Sequence, residues 1–182
     1  MLSTGEYDLR TSLDNSDILY LASWILELKM NKVEIEDISC LFLDRDGVIN
    51  VDSGYVHEEK HFVLCDGIID LIRSFNLLHI PVVIVTNQAG IGRGYYSLNT
   101  YLQFQNWVEK YLSKKDCNIA RTYYSPYHPQ AKIERFKKDS WLRKPGPGMF
   151  YKAKFELGIN LSKSVLIGDK VTDIEAADAA GV

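Results

Sequence analysis

Four short strand-like runs, each ending in residues that carry chemistry, constrain this chain more than any other feature. Cys40-Leu41-Phe42-Leu43 leads into Asp44 and Asp46, and Val82-Val83-Ile84-Val85 into Thr86 and Asn87. Ile119 to Tyr124 leads to Ser125, and Ser164-Val165-Leu166-Ile167-Gly168 to Asp169. Short runs this rich in apolar residues fit strands buried on both faces, as in a parallel sheet. Helical spacing appears between them, over Asp66 to Leu78, from Ser97 (a good N-cap) to about Lys114, and over Pro147 to Leu157. The alternation predicts an α/β fold, a doubly wound parallel sheet with helices on both faces. In such sheets the ligand crevice lies beyond the carboxyl ends of the strands, so the four runs should deliver their terminal residues to one edge.

The residues expected at that edge suit phosphate chemistry. Asp44-Arg45-Asp46-Gly47 sets two carboxylates two residues apart, one able to attack phosphorus and the other to move a proton. Taken alone, the same tetrapeptide also fits a calcium loop or a solvated turn. Asp169, followed four residues later by Asp173, adds carboxylates that would repel the first pair unless a cation such as magnesium lay among them. Capping of the following helix is the alternative role for Asp169. The segment Thr86-Asn87-Gln88-Ala89-Gly90-Ile91-Gly92-Arg93-Gly94 offers hydroxyl, amide and backbone donors to phosphate oxygens, although a Gly-rich turn is also a common connector. Arg143-Lys144-Pro145 brings cations that would offset charge on a transferring phosphoryl group, or that simply face solvent.

Bulk properties narrow the partners. A formal net charge of -3 argues against nucleic acid or an anionic membrane and for a small molecule. The three cysteines, Cys40, Cys65 and Cys117, form no CxxC pair and fit a reducing compartment. No run approaches the ~20 apolar residues of a spanning helix, and the N-terminus lacks signal-peptide character, so a cytoplasmic location is expected. Residues 1–38 stand apart from the alternating pattern: Ile18 to Leu28 reads as one apolar-faced helix, of unread function, that would pack on the main domain or support self-association. The domain proper is expected over 39–182.

The ordered segments LFLDRDGVIN, VDSGYVHEE, VVIVTNQAGIGRGYYS, YYSPYHPQ, RKPGPGM and LIGDKVTDIEAADAAGV resemble the haloacid dehalogenase-like hydrolases. Within that group they are most similar to the D,D-heptose 1,7-bisphosphate phosphatases, with histidinol-phosphate phosphatases as near relatives. The resemblance implies a Rossmann-like sheet with no large cap domain and hydrolysis through a phospho-aspartate. It makes Asp44 the nucleophile and Asp46 the acid/base, with Asp44, the Asp46 carbonyl and Asp169 holding magnesium. It implies that Thr86 and Lys144 steady the phosphoryl group, and that Arg45, Asp52, Ser53, Gly54, Tyr55, Asn87, Gln88, Ala89, Arg143 and Lys170 meet the substrate. The Gly54-Tyr55-Val56-His57 segment is closer to the heptose group than to the histidinol group. Arg143, Arg93, Lys60 and Lys170 are candidate cations for a second phosphate.

Two departures stand out. The family's zinc loop uses a Cys-x-His and a Cys-x-Cys pair, whose positions here are Ser125, Tyr127, Ser140 and Leu142, so no zinc is expected. The loop is instead expected to be ordered by burial of Tyr127, Phe136, Trp141 and Leu142. The resemblance also ends at Val182, before a further strand that relatives carry, as a shortened sheet edge or a fragment would. The leading expectation is removal of the C7 phosphate of D-glycero-D-manno-heptose 1,7-bisphosphate in heptose and lipopolysaccharide precursor synthesis. The alternatives are a histidinol-phosphate or other small phosphate-ester phosphatase, and a non-catalytic binding or assembly module.

Overall fold

A computed structural model describes residues 37–182. The helix expected near Ile18 to Leu28, and any self-association through it, lie outside the described residues. The remainder alternates as expected: β1 (Cys40–Leu43), α1 (Ile68–Leu77), β2 (Val82–Asn87), α2 (Ala89–Arg93), α3 (Leu98–Ser113), β3 (Arg121–Ser125), α4 (Gly148–Leu157), β4 (Ser164–Ile167) and α5 (Val171–Ala180). The strands are all parallel, in the order β3-β2-β1-β4, with Leu41 beside Val82 on one side and Val165 on the other.

That order explains the two helical layers. The steps β1 to β2 and β2 to β3 move one way across the sheet, and the step β3 to β4 doubles back past β1. Right-handed crossovers then put α1 and α3 on one face and α4 and α5 on the other. Side chains alternate to match. Leu41, Leu43, Val82 and Ile84 pack with Ile68, Leu71, Phe75, Val108 and Leu112, whereas Cys40, Phe42, Val83 and Val85 pack with Met149, Phe150, Ala153, Ala176 and Ala180. Every β1 side chain is fully buried, which explains why its run is uniformly apolar. Each such side chain is worth roughly 1.5–3 kcal/mol of transfer free energy.

Element boundaries differ in places from the expectation. β2 continues through Thr86 and Asn87, and β3 begins at Arg121 and runs to Ser125, because Asn87 still pairs with Ser125 in register. The Gly-rich connector coils into α2. Gly92 in it has no room for a side chain, since a Cβ would meet the Pro126 carbonyl at 2.6 Å. A third apolar cluster lies there, where Ile91, Tyr96 and Tyr101 pack with Ala131 and Phe136 of the loop after β3. Ser97 caps α3, its Oγ accepting from Thr100 N–H at 3.0 Å. The three cysteines are buried and unpaired. Among the described residues, no helix is long and apolar enough to cross a membrane.

Candidate active site

The chain reverses direction across the sheet beside β1, and the first residue beyond β1 is Asp44, only 5% exposed. Its N–H still pairs with the Ile167 carbonyl at 3.0 Å, tying it to the end of β4. The chain then coils tightly, with the Arg45 carbonyl accepting from the N–H groups of Ile49 and Asn50 at 2.9 and 3.0 Å. Gly47 sits at φ 97°, which other residues avoid, and a Cβ there would overlap the Asp169 carboxylate. The turn that lets Asp169 approach Asp44 therefore requires glycine.

Lys144 reaches this point from the loop before α4. Its backbone is clamped to the end of β2: Lys144 N–H donates to Asn87 Oδ1 at 3.1 Å, and Asn87 Nδ2 donates to the Lys144 carbonyl at 3.0 Å. Its ammonium, 2% exposed, lies 3.0 Å from Asp44 Oδ1, pairs with Asp173, and donates to the Val85 carbonyl at 2.7 Å. Burial alone would lower the Lys144 pKa, but Asp44 and Asp173 outweigh it and hold the ammonium above the usual lysine range. Burial pushes Asp44 up, against the pull of Lys144.

Asp44, Asp169 and Asp173 each bring a carboxylate oxygen within 4.8 Å of the others. Among the described residues, one cation, Lys144, stands against Asp44 and Asp173, and Asp169 Oδ1 is buried with no hydrogen-bond partner. Burial, then Asp44 and Asp173, push the Asp169 carboxyl up to about 6, against Lys170. A hard divalent cation fits this donor set and would satisfy the orphaned oxygen. Asp169 does not cap α5; there Asp173 accepts from Lys170 N–H at 3.0 Å.

Asp46 lines the same cleft but is held from behind. The fully buried Arg45 guanidinium donates from Nη2 to both of its oxygens at 2.8 Å, and from the same atom to the Val56 carbonyl at 2.7 Å. The guanidinium rests over the Tyr101 and Phe104 rings. Asn50 Nδ2 donates to Asp46 Oδ1 at 3.1 Å and Gln88 Nε2 to Oδ2 at 2.9 Å. The Gln88 Nε2 also reaches Thr86 Oγ1 at 2.9 Å, beside the nucleophile's strand end.

The cleft, about 460 Å³, gathers Asp44, Asp46, Thr86, Lys144 and Asp173 with Asp52, Gly54, Tyr55, Asn87, Gln88, Ala89, Arg143 and Lys170. Asp52 and Lys170 close one wall with a pair at 3.0 Å. Arg45 and Ser53, which the family resemblance made substrate contacts, are not among its lining residues. Arg45 turns inward to the Asp46 carboxylate, and Ser53 is exposed at the tip of its turn. Lys60 pairs with Glu58 away from the cleft. Tyr96 and His128, which fall inside the segments VVIVTNQAGIGRGYYS and YYSPYHPQ but carried no assigned role, also line it, because their neighbours are set by tertiary packing. His128 and the two arginines form a cluster of donors. His128 Nδ1 accepts from Gln130 N–H at 3.0 Å, so in the neutral ring Nε2 carries the hydrogen, and it faces Arg93 Nη2 at 3.1 Å. Burial, Arg143 and Arg93 hold the His128 pKa below its usual value.

Residues 141–182 match the family described as HAD-hydrolase-like. D-glycero-beta-D-manno-heptose-1,7-bisphosphate 7-phosphatase of Escherichia coli O6:H1 is 42% identical over 147 residues, covering 81% of this chain and 77% of the relative. D-glycero-alpha-D-manno-heptose-1,7-bisphosphate 7-phosphatase of Burkholderia mallei is 45% identical over 142 residues, covering 78% and 75%. In structure, D,D-heptose 1,7-bisphosphate phosphatase from B. bronchiseptica, complexed with magnesium and phosphate, superposes with a TM-score of 0.69 at 27% identity, covering 78% of this chain and 76% of that one. At this level of identity over most of both chains, the chain belongs to the haloacid dehalogenase-like hydrolases, in the family of the heptose bisphosphate phosphatases.

Proposed function

We propose that the protein hydrolyses the C7 phosphate of D-glycero-D-manno-heptose 1,7-bisphosphate, with magnesium held by Asp44, Asp169 and the Asp46 carbonyl. The observation that carries this reading is that one cleft holds two separate phosphate-suited groups. The first is Asp44 beside Lys144, Thr86 and the carboxylate cluster; the second is the donor cluster of Arg93, Arg143 and His128. Arg93, Arg143 and His128 together offer donors that suit the phosphate that is not cleaved. Bound magnesium supplies charge neutralisation for the phosphoryl oxygens. Asp44 attacks phosphorus; the bond from phosphorus to the C7 oxygen breaks, and Asp46 gives that oxygen its proton. Asp46, now a carboxylate, takes a proton from water as the water oxygen attacks phospho-Asp44. The aspartyl oxygen–phosphorus bond breaks, inorganic phosphate leaves, and both carboxyl groups return to their starting state. Lys144 and Thr86 steady the phosphoryl oxygens throughout.

Ser125, Tyr127, Ser140 and Leu142 offer no thiolate, imidazole or carboxylate, so we read the loop as zinc-free, and the site as that of a cytoplasmic enzyme acting on a sugar phosphate. Phosphate release with magnesium should be faster per unit concentration on the bisphosphate than on the 7-monophosphate or histidinol phosphate. Asp44→Asn should abolish it with the fold intact, and chelation should stop the wild type. A higher specificity constant on histidinol phosphate would overturn the substrate assignment, and turnover by Asp44→Asn would overturn the mechanism.

A further inference from the structure

Gln88 has a side chain with little left to offer a substrate. It is 2% exposed, and its amide is engaged at both ends. Nε2 donates to Asp46 Oδ2 and to Thr86 Oγ1, each at 2.9 Å, while Oε1 accepts from the Tyr96 hydroxyl at 2.8 Å. The last bond has a fixed sense. An amide oxygen can only accept, so the Tyr96 hydroxyl donates, and that in turn makes the opposite end of the amide the donor. Were the amide reversed, its oxygen would face the Asp46 carboxylate, which has no proton to give when ionised, and its NH2 would face the tyrosine. Tyr96 is itself seated firmly. It is 7% exposed, its ring stacks on His57 at 4.5 Å, and it lies so close to Gly90 that a Cβ there would overlap the ring.

We propose that Tyr96 and Gln88 are positioning residues for Asp46: Tyr96 locks the Gln88 amide in one orientation, and the amide fixes the Asp46 carboxylate and the Thr86 hydroxyl relative to each other. This rests on the reading of Asp46 as the acid/base. Arg45 grips both Asp46 oxygens from behind and Asn50 donates to Oδ1, while Gln88, a cleft-lining residue, adds the second restraint on Oδ2. In its hydrogen bonding the Tyr96–Gln88 pair touches neither the nucleophile nor the three-carboxylate cluster, and it reaches the site through Asp46 and Thr86.

The test is the Tyr96→Phe variant, which removes one hydroxyl and keeps the ring, measured for phosphate release from the heptose bisphosphate with saturating magnesium. Loss of one directed hydrogen bond should lower kcat by roughly 5- to 10-fold with KM unchanged. The same substitution should cost less than about twofold when added to Gln88→Ala or to Asp46→Asn, because the group it acts through is already gone. A residue that merely supports the fold would cost the same factor in all three backgrounds, and that result overturns the proposal, as does unchanged kcat in the single variant. Near-normal turnover by Asp46→Asn alone would instead reject the acid/base assignment beneath it.

Discussion

Asp46 is the residue on which the arrangement of the site turns. Four donor groups converge on it from Arg45, Asn50 and Gln88, a support that a solvated turn would not need. Asp46→Asn keeps the shape but cannot exchange a proton, and should lower kcat by roughly 10²–10⁴-fold. Lys144 presents the opposite case, since its role is structural before it is chemical. It is buried between Asp44 and Asp173, and Lys144→Met leaves two buried carboxylates facing each other. Removing one partner of such a cluster should cost about 3–5 kcal/mol, read as a lowered denaturant midpoint, in addition to the loss of turnover. Asp44, Asp46, Asp169 and Lys144 were legible in the sequence because each stands immediately after a strand or in a motif of distinctive order. Arg45, which the family resemblance made a substrate contact, instead turns its side chain inward, over the Tyr101 and Phe104 rings, as alternation along the chain requires. The role of Tyr96 was not legible, because a tyrosine eight residues from its partner glutamine is recognisable only once α2 has brought them together.

At the scale of elements, the loop from β3 to α4 is held by packing and by backbone hydrogen bonds. Phe136 is 7% exposed against Ile91, Tyr96 and Tyr101, and the loop bonds to itself through His128 N–H and the Phe136 carbonyl at 3.1 Å. It is tied to α2 where Lys132 and Ile133 N–H both donate to the Gly92 carbonyl, at 2.9 and 3.0 Å. The apolar burial expected of Tyr127, Phe136, Trp141 and Leu142 is thus unequal. Phe136 is buried and Tyr127 and Leu142 partly so, but Trp141 is 57% exposed, its ring stacked on Tyr151 while its carbonyl accepts from Gly148 N–H. Hydrophobicity marked the loop as able to pack without indicating which aromatic would find the pocket, since that depends on where α2 lies. Phe136→Ala should therefore destabilise the protein by about 3–5 kcal/mol, and Trp141→Ala by much less, in equilibrium unfolding. Because the loop carries His128 and Arg143 to the cleft, Phe136→Ala should also raise KM for the bisphosphate more than it lowers kcat. Elemental analysis of the purified protein should find no stoichiometric zinc.

For the whole molecule, the sheet order places three carboxylates together at one edge, and the fold bears the repulsion. β1 lies between β2 and β4, so Asp44, at the end of β1, and Asp169, after β4, cannot avoid each other. This much was readable from the alternation of strands and helices; the depth of burial was not, since it depends on how the helical layers close over the edge. The consequence is a stability that depends on cation and pH together. Asp169 has its pKa raised from 3.8 to about 6, by burial first and then by Asp44 and Asp173. The folded, metal-free protein therefore holds that proton more tightly than the unfolded chain does. The stabilisation from it is full below about 4 and is lost as pH rises through about 6. Magnesium needs the carboxylate, so its stabilisation should grow over that same window. At 100 times its dissociation constant a ligand adds about 2.7 kcal/mol, roughly 5–10 °C in Tm for a chain of this size. Thermal unfolding should therefore show a magnesium-induced rise in Tm that is full at pH 7 and strongly reduced at pH 5. Asp169→Ala removes one of the repelling charges, so without metal its Tm at pH 7 should be no lower than that of the wild type, while its response to magnesium should disappear. A variant that lost stability without metal yet kept its full magnesium response would mean that Asp169 is a structural carboxylate and that the cation is held elsewhere.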